Sequence, residues 1–358
     1  MKQDLEKTVL EAAIAAVHRT AGIELKAKAE VKRGNIIIDA EITIGGQKNK
    51  VYAAEVKKWA QQANFGVMVN QVQQLPGKGM LVADYIDPKM ADRLRGLDIP
   101  YIDTFGNAYI NDKPIYIFVK TTKSQGQAQA NREHNLKGML KTATRGRAFN
   151  PTGLKVVYAF MKNEKLLNAP YREIAAQADV ALGTVGWVMN DLKQGRYLVE
   201  IPHKKRRLKN KKDLLEKWVT AYLEKLRPKL FVGTYTAENE YWWQEFNYLK
   251  TEYDAQWGGE VAAAKLTGYL RPEKVIVYLP KFGGEDLFQK QRFRKDPNGN
   301  IQVFRAFWER DTKDKKDILD TVDPIIVYAD LLETGDIRNL EAAKLLYQNE
   351  LTEFIRED

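Results

Sequence analysis

The chain has 358 residues, with 57 lysines and arginines against 47 aspartates and glutamates, a formal net charge of +10. That length exceeds what one core usually fills, so three domains are expected, and the positive balance favours polyanionic partners. Cysteine is absent, which excludes disulfides and thiolate metal sites, and no apolar run is long enough to span a bilayer or serve as an export signal, so a soluble protein of a bacterial cytoplasm with no membrane partner is expected.

Leu5 to Thr20 reads as an amphipathic helix, with Leu5, Val9, Ala12, Ala13, Ala16 and Val17 on one side. Strand patterns follow at Ile23 to Val31, Asn35 to Ile44 and Lys50 to Lys57, the last two joined as a hairpin across Gly45-Gly46-Gln47. A glutamine-rich helix, a buried strand from Gly79 to Ile86 and a helix begun by Asp87-Pro88 complete an αβββαβ order. Asp39 falls on the middle strand and Glu55-Val56-Lys57 on its neighbour; period two puts Glu55 and Lys57 on one face.

Together with Leu81 to Ile86, Ile99 to Asp103 and Gly106 to Ile110, this pattern resembles the PD-(D/E)XK nuclease fold as far as about Phe118. The resemblance implies catalytic Asp39, Glu55 and Lys57: the two carboxylates share a divalent cation, Mg²⁺ or Mn²⁺, and the lysine steadies the attacking water or the phosphate. The chain departs from the pattern in having no proline before Asp39 and in carrying Glu41 as a same-face rival for the metal position. An active nuclease and a degenerate site that binds DNA or phosphate without cutting it are both open.

Between Lys120 and Arg147 the one acid is Glu133, among seven cations and a Ser-Gln-Gly-Gln-Ala-Gln-Ala run. This reads as a basic linker, residues 121–148, with a short helix around Leu136 to Leu140. Pro170 then precedes a helix at Tyr171 to Ala178, a turn at Asp179 to Gly183 with Val180 as its anchor, and a helix from Thr184 to Gln194. The second helix puts Val185, Val188 and Leu192 inward and Thr184, Gly186, Trp187, Asn190 and Asp191 outward. Tyr197 to Ile201 is a first wing strand, stopped by Pro202 and followed by Lys204, Lys205, Arg206, Arg207 and Lys209.

The whole segment, 149–212, resembles the winged helix-turn-helix of repressors. It implies that Thr184, Gly186, Trp187 and Asn190 face a DNA major groove while the basic run neutralises phosphates of double-stranded DNA, with no cofactor required. Trp187 is large for such a position; the alternative for it is packing against the wing.

After Asp213, a helix with Leu214, Leu215, Trp218, Val219, Tyr222 and Leu226 on one stripe is expected to close at Arg227-Pro228. Short strands and aromatic helices follow, with a Pro-Asn-Gly-Asn turn at 297–300. Trp257-Gly258-Gly259-Glu260, the Asp-Pro-Asn-Gly-Asn-Ile turn, Pro324 to Leu332 and Gly335 to Ala343 are similar to the AbiEi-type antitoxins of type IV toxin-antitoxin systems. That resemblance covers about Phe149 to the C-terminus and implies a DNA-binding autorepressor whose C-terminal domain opposes a nucleotidyltransferase toxin. Asp330, Asp336, Arg338 and Glu341 are expected to form a polar cluster at a helix start, Asp336 capping and Glu341 reaching Arg338.

The expected architecture is thus mixed, multidomain α/β: a restriction-endonuclease-like domain at 1–120, the basic linker, a winged helix-turn-helix at 149–212 and an α+β antitoxin-like domain at 213–358. An antitoxin and regulator is the leading reading. A metal-dependent endonuclease targeted by the winged helix, and a nucleic-acid-binding adaptor without enzymatic activity, are the alternatives.

Overall fold

The computed structural model describes residues 2–33, 36–45, 50–57, 60, 65–120, 147–201, 205–239, 241–245, 249, 253–308 and 320–356. The chain divides into two compact units, Met1–Arg145 and Gly146–Asp358, each a mixture of helices and sheet. The short helix expected near Leu136, the Gly46-Gln47 part of the hairpin loop, Pro202, His203 and Lys204 lie outside the described residues.

The first unit opens with α1 (Lys2–Ala21), then β1 (Leu25–Arg33), β2 (Ile36–Ile44), β3 (Val51–Lys57), α2 (Phe65–Gln73), β4 (Lys78–Ala83) and α3 (Pro88–Gly96). It ends in β5 (Tyr101–Asp103), β6 (Ala108–Asp112) and β7 (Ile115–Val119). The seven strands form one sheet in sequence order, with β3, β4 and β5 parallel and every other neighbour antiparallel. Val9, Leu10, Ala13 and Val17 recur at helical spacing on α1 and pack against Ala40, Ile42, Tyr52, Val56, Met80, Val82 and Ile110 of the sheet. Asp87 caps α3, accepting from the main-chain N–H groups of Lys89 and Met90, both at 3.0 Å. Buried Asp103 holds the β5–β6 turn, accepting from the N–H groups of Ile86, Phe105 and Asn107 and from the Asn107 amide.

The second unit begins with α4 (Pro151–Lys162), a 3₁₀ turn (Glu164–Asn168), α5 (Tyr171–Gln177), α6 (Leu182–Gln194) and the two-stranded hairpin β8 (Leu198–Ile201) and β9 (Lys205–Leu208). The basic run itself supplies the second hairpin strand, Val199 facing Arg207 and Glu200 facing Arg206. Next comes α7 (Lys211–Ala221), and here the sequence expectation is corrected. The helix does not close at Arg227-Pro228; it continues through a π turn (Tyr222–Leu226) into α8 (Arg227–Leu230), which carries Pro228 in its first turn.

Beyond lie β10 (Phe231–Thr236), α9 (Trp242–Glu245), β11 (Gln256–Gly258), α10 (Gly259–Thr267), β12 (Val275–Leu279), α11 (Asp286–Lys290), β13 (Arg294–Lys295), β14 (Ile301–Arg305), α12 (Pro324–Thr334), α13 (Ile337–Leu346) and α14 (Thr352–Ile355). The strands make a sheet in the order β11-β12-β14-β10-β13, with β12 and β14 parallel. An aromatic stack ties α4 and α7 to this sheet: Tyr158 of α4 lies 5.6 Å from Trp218, 5.1 Å from Phe307, and Trp218 lies 4.8 Å from Tyr222 with planes 8° apart. The Trp218 indole N–H donates to the Leu154 carbonyl at 2.8 Å, so the largest side chain of α7 is satisfied as well as buried. Segments 147–208 and 211–356 therefore share one core.

Candidate functional site

Three constellations carry chemistry, one in the first unit and two in the second. In the first, Asp39 stands on β2 and Glu55 and Lys57 on adjacent β3, as the alternation requires. Asp39 accepts one hydrogen bond, from the Val56 N–H at 2.8 Å, and the Lys57 ammonium lies 2.6 Å from Glu55. Burial, then the negative charges of Glu55 and Glu6, push the Asp39 carboxyl up to about 7, against the pull of Val56 and Lys57. Glu6, on α1, is the member of this group that the sequence reading missed; only the apolar stripe of that helix had been used. Among the described residues no group of three His, Cys, Asp or Glu side chains is placed to hold a metal ion. Glu41, the suspected rival, is half-buried on β2.

The second constellation is built by α6 and the hairpin. Val185, Val188 and Leu192 are fully buried, which leaves the opposite side of α6 outward. Leu182 is 48% exposed and Trp187 52%, and Asn190 is exposed; Thr184 and Gly186 are partly so. Trp187 is half exposed on this face. Its ring carries the Arg147 guanidinium at 4.1 Å, a cation–π contact that sets a positive charge beside the outward helix face. Asp191, expected outward, instead accepts from the main-chain N–H groups of Arg147 and of Ala148, the latter at 3.0 Å, and so pins the segment entering the unit. Arg147 was read as the last cation of a linker; nothing in its spacing tied it to Trp187.

In the hairpin, Lys205, Arg207 and Lys209 are exposed, but Arg206 turns inward. Its guanidinium donates to the Leu167 carbonyl at 3.0 Å and lies 5.6 Å from the Tyr171 ring, and its main-chain N–H donates to Asn168 at 2.7 Å. Strand alternation explains the difference: neighbouring residues of β9 face opposite sides. Tyr171 also lies 3.8 Å from where a side chain at Gly186 would begin, so one ring sits between helix and wing.

The third constellation is buried. Asp330 of α12 is fully enclosed; one oxygen accepts from Arg227 Nε at 3.0 Å and the Tyr278 hydroxyl at 2.9 Å, the other from the Gly259 N–H at 3.2 Å. Burial pushes this carboxyl above the usual carboxylate range, against the pull of Arg227, Tyr278 and the Gly259 N–H. The Arg227 guanidinium, charged at any ordinary pH, faces the carboxyl inside the core. A Cβ at position 258 would stand 2.6 Å from the Tyr278 ring and 2.9 Å from Asp330, which makes Trp257-Gly258-Gly259 a packing turn.

The four residues expected as one cluster at a helix start are thus divided. Asp336 does cap α13, at 2.9 Å from the Arg338 N–H. Arg338 reaches Glu273 at 2.7 Å and Glu260 at 3.9 Å, Glu341 takes its hydrogen bond from the Tyr269 hydroxyl at 2.6 Å, and Asp330 belongs to the Arg227 pair.

Among the described residues no helix is long and apolar enough to cross a membrane. No curated protein and no solved structure matches the chain. Residues 207–352, the stretch that holds the Arg227–Asp330 pair, the packing turn and α13, match the family described as transcriptional regulator, AbiEi antitoxin, Type IV TA system.

Proposed function

We propose that the chain is a cytoplasmic, sequence-specific DNA-binding regulator that serves as antitoxin to a nucleotidyltransferase toxin, with residues 147–208 acting as a winged helix-turn-helix. One observation carries the reading of DNA: α6 presents Leu182, Trp187 and Asn190 outward with Arg147 stacked on the tryptophan, while the neighbouring hairpin exposes Lys205, Arg207 and Lys209. A helix of that kind fits a major groove and the cations meet phosphates. The match of residues 207–352 supports the antitoxin role. In mobility shifts against an operator taken from the protein's own promoter, Asn190→Ala is expected to cost about 1–3 kcal/mol of discrimination over random DNA. Replacing Lys205, Arg207 and Lys209 by alanine weakens binding to every sequence and flattens the salt slope by about one unit per contact. An unchanged slope removes the wing from the interface.

A second reading, a metal-dependent endonuclease using Asp39, Glu55 and Lys57, is favoured by the carboxyl of Asp39, on the strand next to Glu55 and held near 7 by burial first and then by the like charges of Glu55 and Glu6; Mg²⁺ or Mn²⁺ bound by Asp39 and Glu55 would relieve that repulsion. Supercoiled plasmid left intact by the protein with Mn²⁺ rejects it; nicking that Glu55→Ala abolishes supports it.

A further inference from the structure

The seven-stranded sheet has two edges, β1 and β7, and they are built differently. Outer strand β1 reads Leu-Lys-Ala-Lys-Ala-Glu-Val-Lys-Arg, with Lys26, Lys28, Glu30 and Lys32 exposed and Glu30 in a left-handed kink at φ 49°. Charges and a kink are the means by which a strand edge is kept from pairing with another chain. Strand β7 has neither: Ile115-Tyr116-Ile117-Phe118-Val119 carries no charge and pairs along its whole length with β6. Ile115, Ile117 and Val119 pack half-buried against the core while Tyr116 and Phe118, 66% and 37% exposed, face the other way. Among the described residues no strand pairs with its outer edge. A flat, apolar, β-branched and aromatic edge of this kind is a template for another strand.

We propose that β7 is covered by β7 of a second copy of this chain, antiparallel about a two-fold axis at Ile117. The sequence is self-complementary in that register. A shift by one residue would set the core face of one copy beside the aromatic face of the other, so opposed positions must share parity; of the allowed registers, the one centred on Ile117 opposes all five residues. It pairs Ile117 with Ile117, Tyr116 with Phe118 and Ile115 with Val119, aliphatic against aliphatic on the core side and aromatic against aromatic on the other. The contact is isologous and closes on itself, and it joins the two sheets into one. Each assembly then carries two copies of the DNA-reading segment, the arrangement that palindromic operators serve.

The absence of cysteine makes the register directly testable in the full-length chain. Directly opposed residues of antiparallel strands have Cα atoms about 4.5–5.5 Å apart, inside the span a disulfide bridges. The Ile117→Cys variant is expected to form covalent dimers under mild oxidation far faster than Lys28→Cys on the guarded edge. Mixing Tyr116→Cys with Phe118→Cys should crosslink faster than either variant alone. In sedimentation equilibrium, the Y116K/F118K chain, which sets lysines opposite lysines, should self-associate roughly tenfold or more weakly than the wild type. Y116K/F118E, which sets each lysine opposite a glutamate, should recover the dimer, a result that loss of folding cannot mimic. A wild-type chain that stays monomeric, an Ile117→Cys variant that crosslinks no faster than the control, or a Y116K/F118E chain as monomeric as Y116K/F118K overturns the proposal.

Discussion

Asp39 in the first unit and Asp330 in the second are both aspartates withdrawn from water, and their surroundings are opposite. Asp330 is met by a guanidinium, a hydroxyl and a main-chain N–H, all donors. Asp39 is met by one N–H and by two further acids, with the nearby lysine engaged at Glu55. A carboxylate enclosed by donors is part of the scaffold, since removing any of them leaves a buried charge without compensation. A carboxylate enclosed by carboxylates is a site under repulsion, relieved by a proton or a cation. The match of residues 207–352 spans the first kind, the Arg227–Asp330 pair.

The largest test of that contrast is Arg227→Met, which strands Asp330 as a charge in a closed core. We expect a loss on the order of 3–5 kcal/mol in chemical denaturation, largely restored when Asp330→Leu is added so that no charge remains. A variant as stable as the wild type would mean that Asp330 is neutral and the pair is not a scaffold element.

Asp39→Asn is expected to act in the opposite direction. Its carboxyl sits near 7 when folded and near 3.8 when unfolded, so between those values the folded chain binds the extra proton. Stability from this group is therefore present at low pH and lost as pH rises from about 4 to 7. Asn keeps the acceptor for the Val56 N–H without the charge, so the variant should gain on the order of 1–3 kcal/mol at pH 8 and none at pH 4. Thermal melts across that range check the sign, and equal shifts at both pH values would refute it. Saturating Mn²⁺ should stabilise the wild type at pH 8 and leave Asp39→Asn unmoved; identical shifts for the two remove the cation from Asp39.

The smallest effect belongs to Glu341→Ala. Exposed Glu341 keeps one hydrogen bond, to Tyr269 on the surface, so its loss should leave the melting temperature unchanged. A large drop would show a role in the core that the geometry does not give it.

How much of this was legible beforehand depends on the range of the interaction. The α6 core positions Val185, Val188 and Leu192, the Asp87 and Asp336 caps and the shared face of Glu55 and Lys57 follow from period and spacing, because each is decided within a turn or two residues of the chain. Arg206 was readable in principle, since alternation along a hairpin sends it and Arg207 to opposite sides. It was missed because the basic run was taken as a run of charge and its strand went unnoticed. The stacking of Arg147 on Trp187 and the hold of Asp191 on residues 147 and 148 join positions forty or more residues apart, and no local pattern announces them.

The sequence by itself determined the charge balance, the lack of thiols, the order of helices and strands, and the motif similarity of the C-terminal part, all of which are properties of composition and of near-neighbour periodicity. Only the tertiary structure decided which charges are answered. It enclosed Asp330 with Arg227 across 103 residues, brought the charge of Glu6 on a helix to bear on Asp39 of a strand, and set β7 at the edge of the sheet. The physical reason is that the free energy of a buried or exposed group depends on what surrounds it in space, and those surroundings exist only once the elements have packed.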